Sequence, residues 1–563
     1  MQLSEQEQVR REKLIQLRAL GINPYPADLF PVDAMTADIK QNFENGKKVI
    51  IAGRLMSRRI QGKASFAELQ DSKGRIQVYF NRDEICPGED KVLYNEVYKK
   101  LLDIGDFIGV EGELFTTKVG EKTVMVKSFK LLSKALKPLP LPKTDSEGNT
   151  FDEFNNPELR YRQRYADLVV NPKVKEVFIK RTKLFTAMRT FFNNSGYFEV
   201  ETPILQSIPG GAAARPFKTH HNSLDIPMFM RIACELYLKK LIVGGFDGVY
   251  EFAKTFRNEG MDRTHNPEFT MMEIYVAYKD YNWMMDLTEK LLEFCATEVN
   301  GSSKSIFGEH EINFKAPYAR VTMAASIEHY TGFDILGKSE NEIREAAKGM
   351  GIDVDETMGK GKIIDEIFGE KCEANYIQPT FITDYPKEMS PLTKEHRSNP
   401  DLTERFELII CGKELANAYS ELNDPIDQRA RFEDQVKLAG RGDDEATEFI
   451  DQDFLRALEY GMPPTSGMGI GMDRLIMFLT NNASIQEVLF FPQMKPEVKQ
   501  VAMSDDEKVV FNMLKANSPF ELSELKIQSG LSNKKWDKTI KGLTKSGIAK
   551  VNKTEEGLFV EVV

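Results

Sequence analysis

The sequence predicts a multidomain α+β protein, and three observations lead to that prediction. Residues 47–135 contain five short runs of alternating apolar and polar residues, which are typical of strands with one buried face. Residues 172–499 combine long amphipathic helices with apolar hairpins, which indicates a larger mixed domain. Proline-rich and polar segments separate the parts, which are a helical arm at 1–46, a barrel at 47–135, a linker at 136–171, the large domain at 172–499 and a small domain at 500–563.

The composition limits the class of protein and its compartment. Of the 563 residues, 41% are hydrophobic and 29% are charged, an ordinary balance for a soluble protein. No apolar run approaches the ~20 residues that span a bilayer, and the N-terminal stretch lacks the apolar core of a secretory signal. The five cysteines form no CxxC pair, which argues against a zinc site or a disulfide framework. We therefore expect a cytoplasmic protein without a membrane partner.

The charge balance is acidic, with a net charge of −11. The chain as a whole therefore does not attract polyanions. A nucleic acid would have to bind where lysine and arginine are locally concentrated, and its binding would weaken with salt.

The first helix is predicted at residues 4–20, with Ser4 as its N-cap. Its apolar stripe would consist of Val9, Leu14, Leu17 and Leu20. A helix that packs on its neighbour explains this pattern better than a basic arm that touches RNA.

The barrel segment has the element order of an oligonucleotide-binding (OB) fold. A helix is predicted at 90–103, after the third of five strands, which are placed at 48–60, 63–70, 74–80, 106–116 and 122–132. Side-chain alternation leaves Phe66 and Gln77 facing outward, with Arg58 and Arg59 nearby. An outward phenylalanine can stack on a single-stranded base, and a glutamine can read a base edge. On alternation alone, an isolated surface phenylalanine is equally consistent.

A polar hairpin tip forms the first candidate site of the large domain. Residues 256–273 read FRNEGMDRTHNPEFTMME and join strands predicted at 249–256 and 269–278. Arg257 follows the first strand, where a guanidinium can hold a carboxylate or phosphate through two parallel hydrogen bonds. These residue types alone favour a solvated, charged hairpin.

A second hairpin, at 404–422, supplies a candidate metal site. Glu407 and Glu414 bracket its turn, and Mg²⁺ is commonly held by one or two carboxylates together with substrate phosphates. Asn417 and Glu421 share one face of the returning strand. Glu414 has the opposite parity, so it joins them only if a bulge or the turn re-aims its side chain. Solvated charge at a sheet edge is the alternative.

Three further segments carry weaker signals. Residues 466–481 read SGMGIGMDRLIMFLTN, in which glycines let a strand approach a ligand closely and Arg474 opens the next helix. Gly211 allows a similar close approach. Glu235, flanked by apolar residues, lies either at a surface helix start or opposite a cation in a pocket. The segment 320–375 is predicted to be a mostly helical insertion, because apolar residues such as Ile327, Tyr330, Ile343 and Ile363 recur at helical spacing, and its sequence indicates no chemistry.

Three segments resemble the signature motifs of class II aminoacyl-tRNA synthetases. GYFEVETP, at 196–203, resembles motif 1; FRNE followed by HNPEFT resembles motif 2; and Gly-x-Asp-Arg, ending at Arg474, resembles motif 3. Their order, spacing and wording are most similar to the bacterial lysyl-tRNA synthetases, from about residue 10 to about residue 496.

The resemblance implies a fold, a reaction and partners. It implies an OB-fold domain that binds the anticodon and a class II catalytic domain on an antiparallel sheet. The enzyme would activate L-lysine with ATP and Mg²⁺ to lysyl-adenylate and pyrophosphate, and then transfer lysine to the 3′ end of tRNA(Lys). Motif 1 would form the interface of a homodimer.

The resemblance also implies roles for individual residues. Arg257 would bridge the lysine carboxylate and the α-phosphate, and Arg474 would hold the γ-phosphate. Mg²⁺ would bind Glu407 and Glu414, and the anticodon would meet Phe66 and Gln77. The rest of the ATP site would consist of Glu259, His265, Asn266 and Phe269. The lysine site, whose acidic and hydroxyl groups can receive ammonium groups, would consist of Gly211, Glu235, Glu273, Tyr275, Asn417 and Glu421.

Three rival activities are less consistent with these residues. A ligase that attaches lysine to a protein or a small molecule would usually lack the barrel. An inactive RNA-binding regulator would have lost its motif residues, whereas Arg257 and Arg474 are both present. An aspartate or asparagine enzyme of the same class is disfavoured by Glu235 and Glu421.

Residues 500–563 extend beyond the resemblance. Three predicted helices and a closing hairpin resemble a winged helix. The third helix carries lysines at 534, 535, 538, 541 and 545, although acidic residues nearly balance the lysines over the whole segment. A nucleic-acid contact, a protein contact and a structural appendix are all consistent with this pattern.

Overall fold

The computed structural model describes residues 3–144, 150–151, 154–212, 214–440, 450–496, 503–516, 518–545, 547–554 and 557–562. The chain divides into two compact units, Met1–Gln493 and Met494–Val563, and each has its own hydrophobic core. Within the described ranges, no helix has the length and apolar character needed to cross a membrane.

Five strands near the N-terminus close into a barrel, in the order first, second, third, fifth, fourth. The strands are Lys48–Gln61, Ala64–Gln70, Arg75–Asn81, Phe107–Thr116 and Lys122–Ser133, with helices at Arg82–Ile85 and Leu93–Leu101. Burial alternates strictly along the second and third strands, so the predicted OB-fold order and side-chain parity are confirmed.

The first helix, Glu5–Ala19, has the predicted cap at Ser4 but a different buried face. Leu17 is buried as expected, whereas Val9 and Leu20 are 41% and 47% exposed. Arg10 is buried instead, because its guanidinium donates to the carbonyls of Ala135 and Ile104 at distances of 2.9 and 3.0 Å. Part of the predicted apolar stripe was therefore wrong, since a cation reaches backbone acceptors on the barrel. A second helix, Thr36–Gln41, follows.

The segment between the barrel and the large domain contains the short strands Lys143–Thr144 and Thr150–Phe151 and the helices Pro157–Arg162 and Arg164–Val170. Arg160 donates two parallel hydrogen bonds of 2.9 Å to the Glu487 carboxylate. Arg164 is fully buried, and its guanidinium donates to the Asp167 carboxylate and to the Gln486 carbonyl of the large domain, both at 2.6 Å. These arginines fix the segment to the large domain.

The large domain is built on an eight-stranded sheet. In spatial order its strands are Ala319–Thr322, Thr380–Thr383, Arg405–Ile409, Glu414–Ser420, Thr465–Gly471, Glu268–Ala277, Gly248–Phe256 and Phe198–Glu199. The pairing is antiparallel except at the two edges, where the outermost strand of each side pairs in parallel. The antiparallel character implied by the motifs is confirmed for the centre of the sheet.

The two faces of this sheet have different roles. The face that carries Ile274, Ala418 and Met468 packs on the helices Pro172–Asn194 and Tyr281–Asn300 to form the main core. Part of the opposite face is covered by the helix Glu235–Val243, and the rest forms the floor of a cavity. The remaining helices of the domain are Pro425–Gly440, Gln452–Glu459, Met472–Thr480 and Ile485–Val488. Smaller strands are Leu205–Gln206, Lys218–His221, Ile226–Met230, Lys304–Phe307, His310–Asn313, Glu395–His396 and Asn399–Thr403.

The predicted insertion folds as three helices with their own core. They are Met323–Thr331, Glu340–Gly349 and Lys360–Lys371, with 3₁₀ turns at Glu373–Asn375 and Lys387–Met389. Ile327, Ile343 and Ile363 are fully buried among them, as their spacing predicted. Tyr330, expected in the same core, is 39% exposed, and its ring lies edge-on against the rings of His329 and Tyr376.

The C-terminal unit contains the helices Asp505–Ala516, Leu522–Ser529 and Asn533–Lys545. A three-stranded sheet joins Phe520–Glu521 to a hairpin formed by Ala549–Thr554 and Gly557–Val562. Three helices and a hairpin lie where the sequence predicted them. The winged-helix type of this unit stays a prediction.

Candidate active site and nucleic-acid face

A cavity of about 940 Å³ opens on the face of the large sheet that lies opposite the main core. Eight of the predicted site residues line it, although they come from distant parts of the sequence. They are Gly211, Glu235, Arg257, Glu273, Tyr275, Glu407, Glu414 and Asn417. The insertion, in which the sequence indicated no chemistry, also lines this cavity through Lys360, Lys362 and Asp365.

One end of the cavity gathers three glutamates. Glu235 is the first residue of its helix, and its carboxylate accepts a hydrogen bond of 2.6 Å from the Tyr419 hydroxyl. Glu273 accepts hydrogen bonds from the Cys234 backbone amide at 3.3 Å and the Tyr275 hydroxyl at 3.2 Å. Glu421 is 1% exposed and lies beside the Tyr275 ring, behind the residues that line the cavity.

A buried lysine that the sequence did not single out lies among these carboxylates. The Lys239 ammonium is 2.5 Å from Glu235 Oε1 and forms an ion pair with Glu421 Oε2. Its side chain is fully buried, and its ammonium lies over the Tyr419 ring at 5.4 Å. The sequence could have predicted the Glu235–Lys239 ion pair, because residues that are four apart on a helix are neighbours.

Burial makes these carboxylates hard to ionise without a cation. Burial, and then the charge of Glu235, raise the pKa of Glu273 to about 7. Burial also raises the pKa of Glu421 well above its usual range, although Lys239 opposes that shift. Lys239 therefore pairs with two of the three carboxylates, while Glu273 accepts hydrogen bonds from the neutral donors of Cys234 and Tyr275, and the pocket favours a further positive charge.

Glycines make room for the side chains of this pocket. A β-carbon at Gly467 would collide with Glu421 Oε1 and with the Tyr275 ring. Gly211 has a φ of +88°, and a β-carbon there would lie 3.2 Å from that of Glu235. The sequence predicted that these glycines approach a ligand, whereas at Gly467 the space is filled by the protein's own acidic and aromatic groups.

Arg257 lines the cavity and directly follows the strand Gly248–Phe256. Its guanidinium is 5.2 Å from the centre of the Phe269 ring. Its Nε atom is buried and has no hydrogen-bond partner among the described residues. A buried guanidinium donor without a protein acceptor is suited to an anionic ligand.

The loop after Arg257 arranges the other predicted ATP residues, which lie outside the cavity lining. His265 is exposed, and its Nδ1 is 2.8 Å from the Asp262 carboxylate. Asn266 is buried and uses its amide on the backbone, donating to the Glu268 carbonyl at 2.6 Å. Glu259 is exposed and accepts a bond of 3.4 Å from the Arg215 amide.

A bulge brings the two predicted metal ligands to the same cavity. Leu408 pairs with Ala416 while Ile409 pairs with Glu414, so Leu415 is an extra residue in the returning strand. The extra residue turns the Glu414 side chain to the face of the strand that carries Asn417, which is the change that the sequence requires for these residues to share one site.

The environment of Glu407 is acidic and partly buried. Burial, and then the Glu414 charge, raise its pKa to about 8. Arg405 donates to its carboxylate at 2.5 Å and the Asn417 amide donates at 3.1 Å. The predicted lysine ligand Asn417 therefore contacts Glu407. Two carboxylates that repel each other fit a divalent cation. In the described part of the chain, no three or more side chains of histidine, cysteine, aspartate or glutamate are grouped so that they could hold a metal ion.

Arg474 lies beside the acidic pair but outside the cavity lining. It is in the first turn of the helix Met472–Thr480, and its guanidinium donates to the Glu414 backbone carbonyl. That contact links the third motif to the bulged strand.

The barrel carries an aromatic group on its outer face. The Phe66 ring lies 4.9 Å from that of Tyr79, which lies 6.0 Å from that of Phe115. Gln77, on the same face, donates to the Thr123 hydroxyl at 2.8 Å. The sequence did not single out Tyr79 and Phe115 as members of this aromatic group. The alternation of the third strand nevertheless placed Tyr79 on the same face as Gln77.

The side chains of Arg58 and Arg59, which were predicted to lie near Phe66, point to opposite faces of their strand. Arg59 is paired with Phe66 across the strands, whereas Arg58 is paired with the buried Ala67. The Arg58 guanidinium donates to the Tyr98 carbonyl. Only Arg59 therefore shares the face of Phe66, because adjacent residues of a strand point to opposite sides.

Comparisons with known proteins agree with this architecture. A family described as tRNA synthetases class II (D, K and N) matches residues 156–495, and the OB-fold nucleic acid binding domain matches residues 49–132. A lysine–tRNA ligase of Christiangramia forsetii is 76% identical over 100% of this chain and 98% of its own length. One of Porphyromonas gingivalis is 67% identical over 88% of this chain and 86% of its own length. One of Azobacteroides pseudotrichonymphae is 63% identical over 88% of this chain and 99% of its own length.

The family match covers more than half of the chain, and it includes all three motif segments and all the residues that line the cavity. The strand order, the acidic cavity and the sequence identities lead to one assignment. The chain belongs to the class II tRNA synthetases of the D, K and N group.

Proposed function

We propose that the protein is a lysine–tRNA ligase. It would join L-lysine to ATP, release pyrophosphate, and pass the lysyl group to the 3′ end of tRNA(Lys). The observation that carries this proposal is the pocket in which Glu235, Glu273 and Glu421 outnumber the single ammonium of Lys239.

The charge count of the pocket supports lysine over the other amino acids of the family. When the three carboxylates are ionised, one fixed ammonium leaves two negative charges. Lysine brings two ammonium groups, so its binding would neutralise the pocket. Aspartate or asparagine would bring one ammonium and leave a buried negative charge without a partner.

The first chemical step needs positioning and charge stabilisation. A carboxylate oxygen of lysine attacks the α-phosphorus, a new P–O bond forms, and the bond to pyrophosphate breaks. Arg257 is suited to hold both anions, because its Nε donor is buried and has no protein acceptor among the described residues. Arg474 and Glu414 adjoin each other, which supports a triphosphate site at that end.

Mg²⁺ would be held by Glu407 and Glu414 and would offset phosphate charge. The raised pKa of Glu407 supports this role, because a pair of close carboxylates is stabilised by a shared cation. Arg405 and Asn417 orient the Glu407 carboxylate toward the cavity.

In the second step, a terminal hydroxyl of tRNA attacks the lysyl carbonyl, the ester forms, and AMP leaves. We infer that the aromatic face of the barrel binds the anticodon. Phe66 and Tyr79 offer flat surfaces for base stacking, and Gln77 keeps its amide carbonyl available to a base edge.

We also infer a homodimer formed through motif 1. The edge strand Phe198–Glu199 has only two residues, and Phe198 is 58% exposed. Its ring contacts that of Phe246, which is 38% exposed. An exposed apolar sheet edge is stabilised by a second subunit. Sedimentation of a fully active monomer would refute this inference.

The cysteines support a reducing compartment, the cytoplasm. All five are free thiols, and four of them are buried.

The decisive experiment is ATP–pyrophosphate exchange with each of the twenty amino acids. We expect exchange with lysine and little with aspartate or asparagine. Charging of a tRNA panel with exchanged anticodons then tests the barrel. Exchange that depends on aspartate, or lysine exchange without charging of any tRNA, would contradict the proposal.

A further inference from the structure

The last helix of the C-terminal unit, Asn533–Lys545, has two unlike faces. Trp536, Thr539 and Leu543 are buried against the rest of the unit. The lysines of the opposite face are exposed, and four of them form a continuous stripe: Lys534, Lys538, Lys541 and Lys545. We call these four residues the lysine stripe.

The spacing of the lysine stripe follows the helix repeat. Successive members are four, three and four residues apart, so at ~100° per residue they fall within roughly 60° of one another. At ~1.5 Å per residue, they extend over about 16 Å of helix. Four positive charges therefore lie in one row on a rigid element.

The ammonium groups of the lysine stripe have no ion-pair partner among the described residues. The fifth lysine of the helix, Lys535, is paired with Asp506 at 3.1 Å and lies to one side. Asp537 is the single acidic residue of the helix sequence. Isolated like charges at one-turn spacing repel one another, so the row is stabilised when an anion lies along it.

The charge of the whole unit supports the same conclusion. Residues 494–563 contain 12 lysines and 10 acidic residues, a net charge of +2 within a chain of net charge −11. Asp505, Asp506 and Glu507 are in the first turn of the helix Asp505–Ala516, which packs beside this helix on the side of Lys535 and Gly542. The lysine stripe lies next to that side and forms no ion pair with these carboxylates among the described residues. Glu555 and Glu556 lie between the hairpin strands in the sequence, so the hairpin is not part of the proposed surface.

The partner is identified by the chemistry of this face. Its apolar side chains are in the core of the unit, so the exposed side offers cationic groups and little apolar surface. Such a face fits a polyanion with regularly spaced charges and no apolar groups. The substrate of the proposed reaction, tRNA, is a polyanion of this kind.

We propose that the lysine stripe binds the phosphate backbone of tRNA, as a second contact in addition to the barrel. This rests on the proposed function. Contacts of ammonium groups with phosphates carry little sequence information, so the stripe adds affinity for RNA and leaves selection to the barrel.

The test uses the full-length protein with Lys534, Lys538, Lys541 and Lys545 all changed to Gln. Each lost phosphate contact lowers the slope of log K against log salt by ~0.7–0.9, so four contacts lower it by about 3. We expect that change for tRNA between about 50 and 200 mM salt, with a higher KM for tRNA in charging. ATP–pyrophosphate exchange with lysine should not change, because the stripe is not part of the cavity.

A matched control changes Lys508, Lys515, Lys526 and Lys550 to Gln, which removes the same charge from other parts of the unit. An equal loss of slope in the control would overturn the proposal, as would an unchanged slope in the stripe variant. A variant with Arg at the four stripe positions should retain tRNA affinity, and a loss there would assign the effect to folding. Failure of lysine exchange in the unmodified protein would instead contradict the proposed function itself.

Discussion

The barrel face and the lysine pocket are two candidate recognition sites built in opposite ways. On the barrel, Phe66 and Gln77 are partly exposed side chains of neighbouring strands, and their direction follows from alternation alone. In the pocket, Glu235 and Glu421 are buried, come from distant segments, and share the charge of Lys239. An exposed platform thus depends on local geometry, whereas a buried charged pocket depends on the balance of all the groups that meet there.

This difference predicts the largest effect for a change that removes a buried charge. Glu421→Gln should lower kcat/KM for lysine, with a loss of transition-state binding of about 2–4 kcal/mol. The substitution removes a charge-assisted contact and leaves Lys239 with one carboxylate partner. ATP–pyrophosphate exchange at varied lysine concentration measures the effect. Glu298→Gln, at an exposed helix position, is the matched control and should behave as the unmodified protein. An unchanged exchange rate would exclude Glu421 from the pocket.

Removing the buried cation should have a smaller effect that depends on pH. In Lys239→Met, Glu235 and Glu421 lose their shared counter-charge, so the pKa of Glu421 rises further. Glu273 and the Tyr275 and Tyr419 hydroxyls, which face the same carboxylates, offer no positive charge. We expect a roughly tenfold to hundredfold loss of kcat/KM for lysine at neutral pH, equal to ~1–3 kcal/mol.

The pH profile of this variant separates positioning from folding. Activity should recover as the pH rises, because a carboxyl with a raised pKa ionises at higher pH. A loss of the same size at every pH would indicate disrupted packing. The unfolding temperature of the variant, measured with and without saturating lysine, provides the second readout.

Substitution on the barrel should affect the tRNA step and leave the first step unchanged. Phe66→Ala should weaken tRNA binding by about 1–3 kcal/mol, because one base loses its stacking surface. Leu29→Ala, which removes a 90% exposed apolar side chain outside the barrel strands, is the control. Equal tRNA affinity in both variants would contradict a stacking role for Phe66.

The smallest expected effect concerns the ionisation of Glu273. Its pKa is raised to about 7, so it is protonated below that pH and cannot pair with an ammonium as a carboxylate. The value of kcat/KM for lysine should therefore rise with pH up to about 7, by at most about tenfold per pH unit. Glu273→Gln should remove this dependence, and a profile that keeps the same inflection would assign it to another group.

The sequence predicted most of the fold and much of the cavity. The barrel strands, the two central hairpins and the C-terminal helices were visible as local patterns of alternation, helical spacing and caps. Local patterns predicted the wrong buried residue where a polar side chain has a partner that is distant in sequence. Arg10 is buried because it reaches carbonyls at Ala135 and Ile104, more than ninety positions away in sequence.

The sequence by itself determined the direction of Phe66 and Gln77, the parity conflict of Glu414, and the presence of three motif segments. Those features depend on the period of a strand or helix, which is fixed by backbone geometry. The tertiary structure alone decided that a bulge at Leu415 resolves the parity conflict and that Lys239 lies between two glutamates. Both outcomes depend on contacts between segments that are distant along the chain, because the energy of a buried charge is set by every group around it.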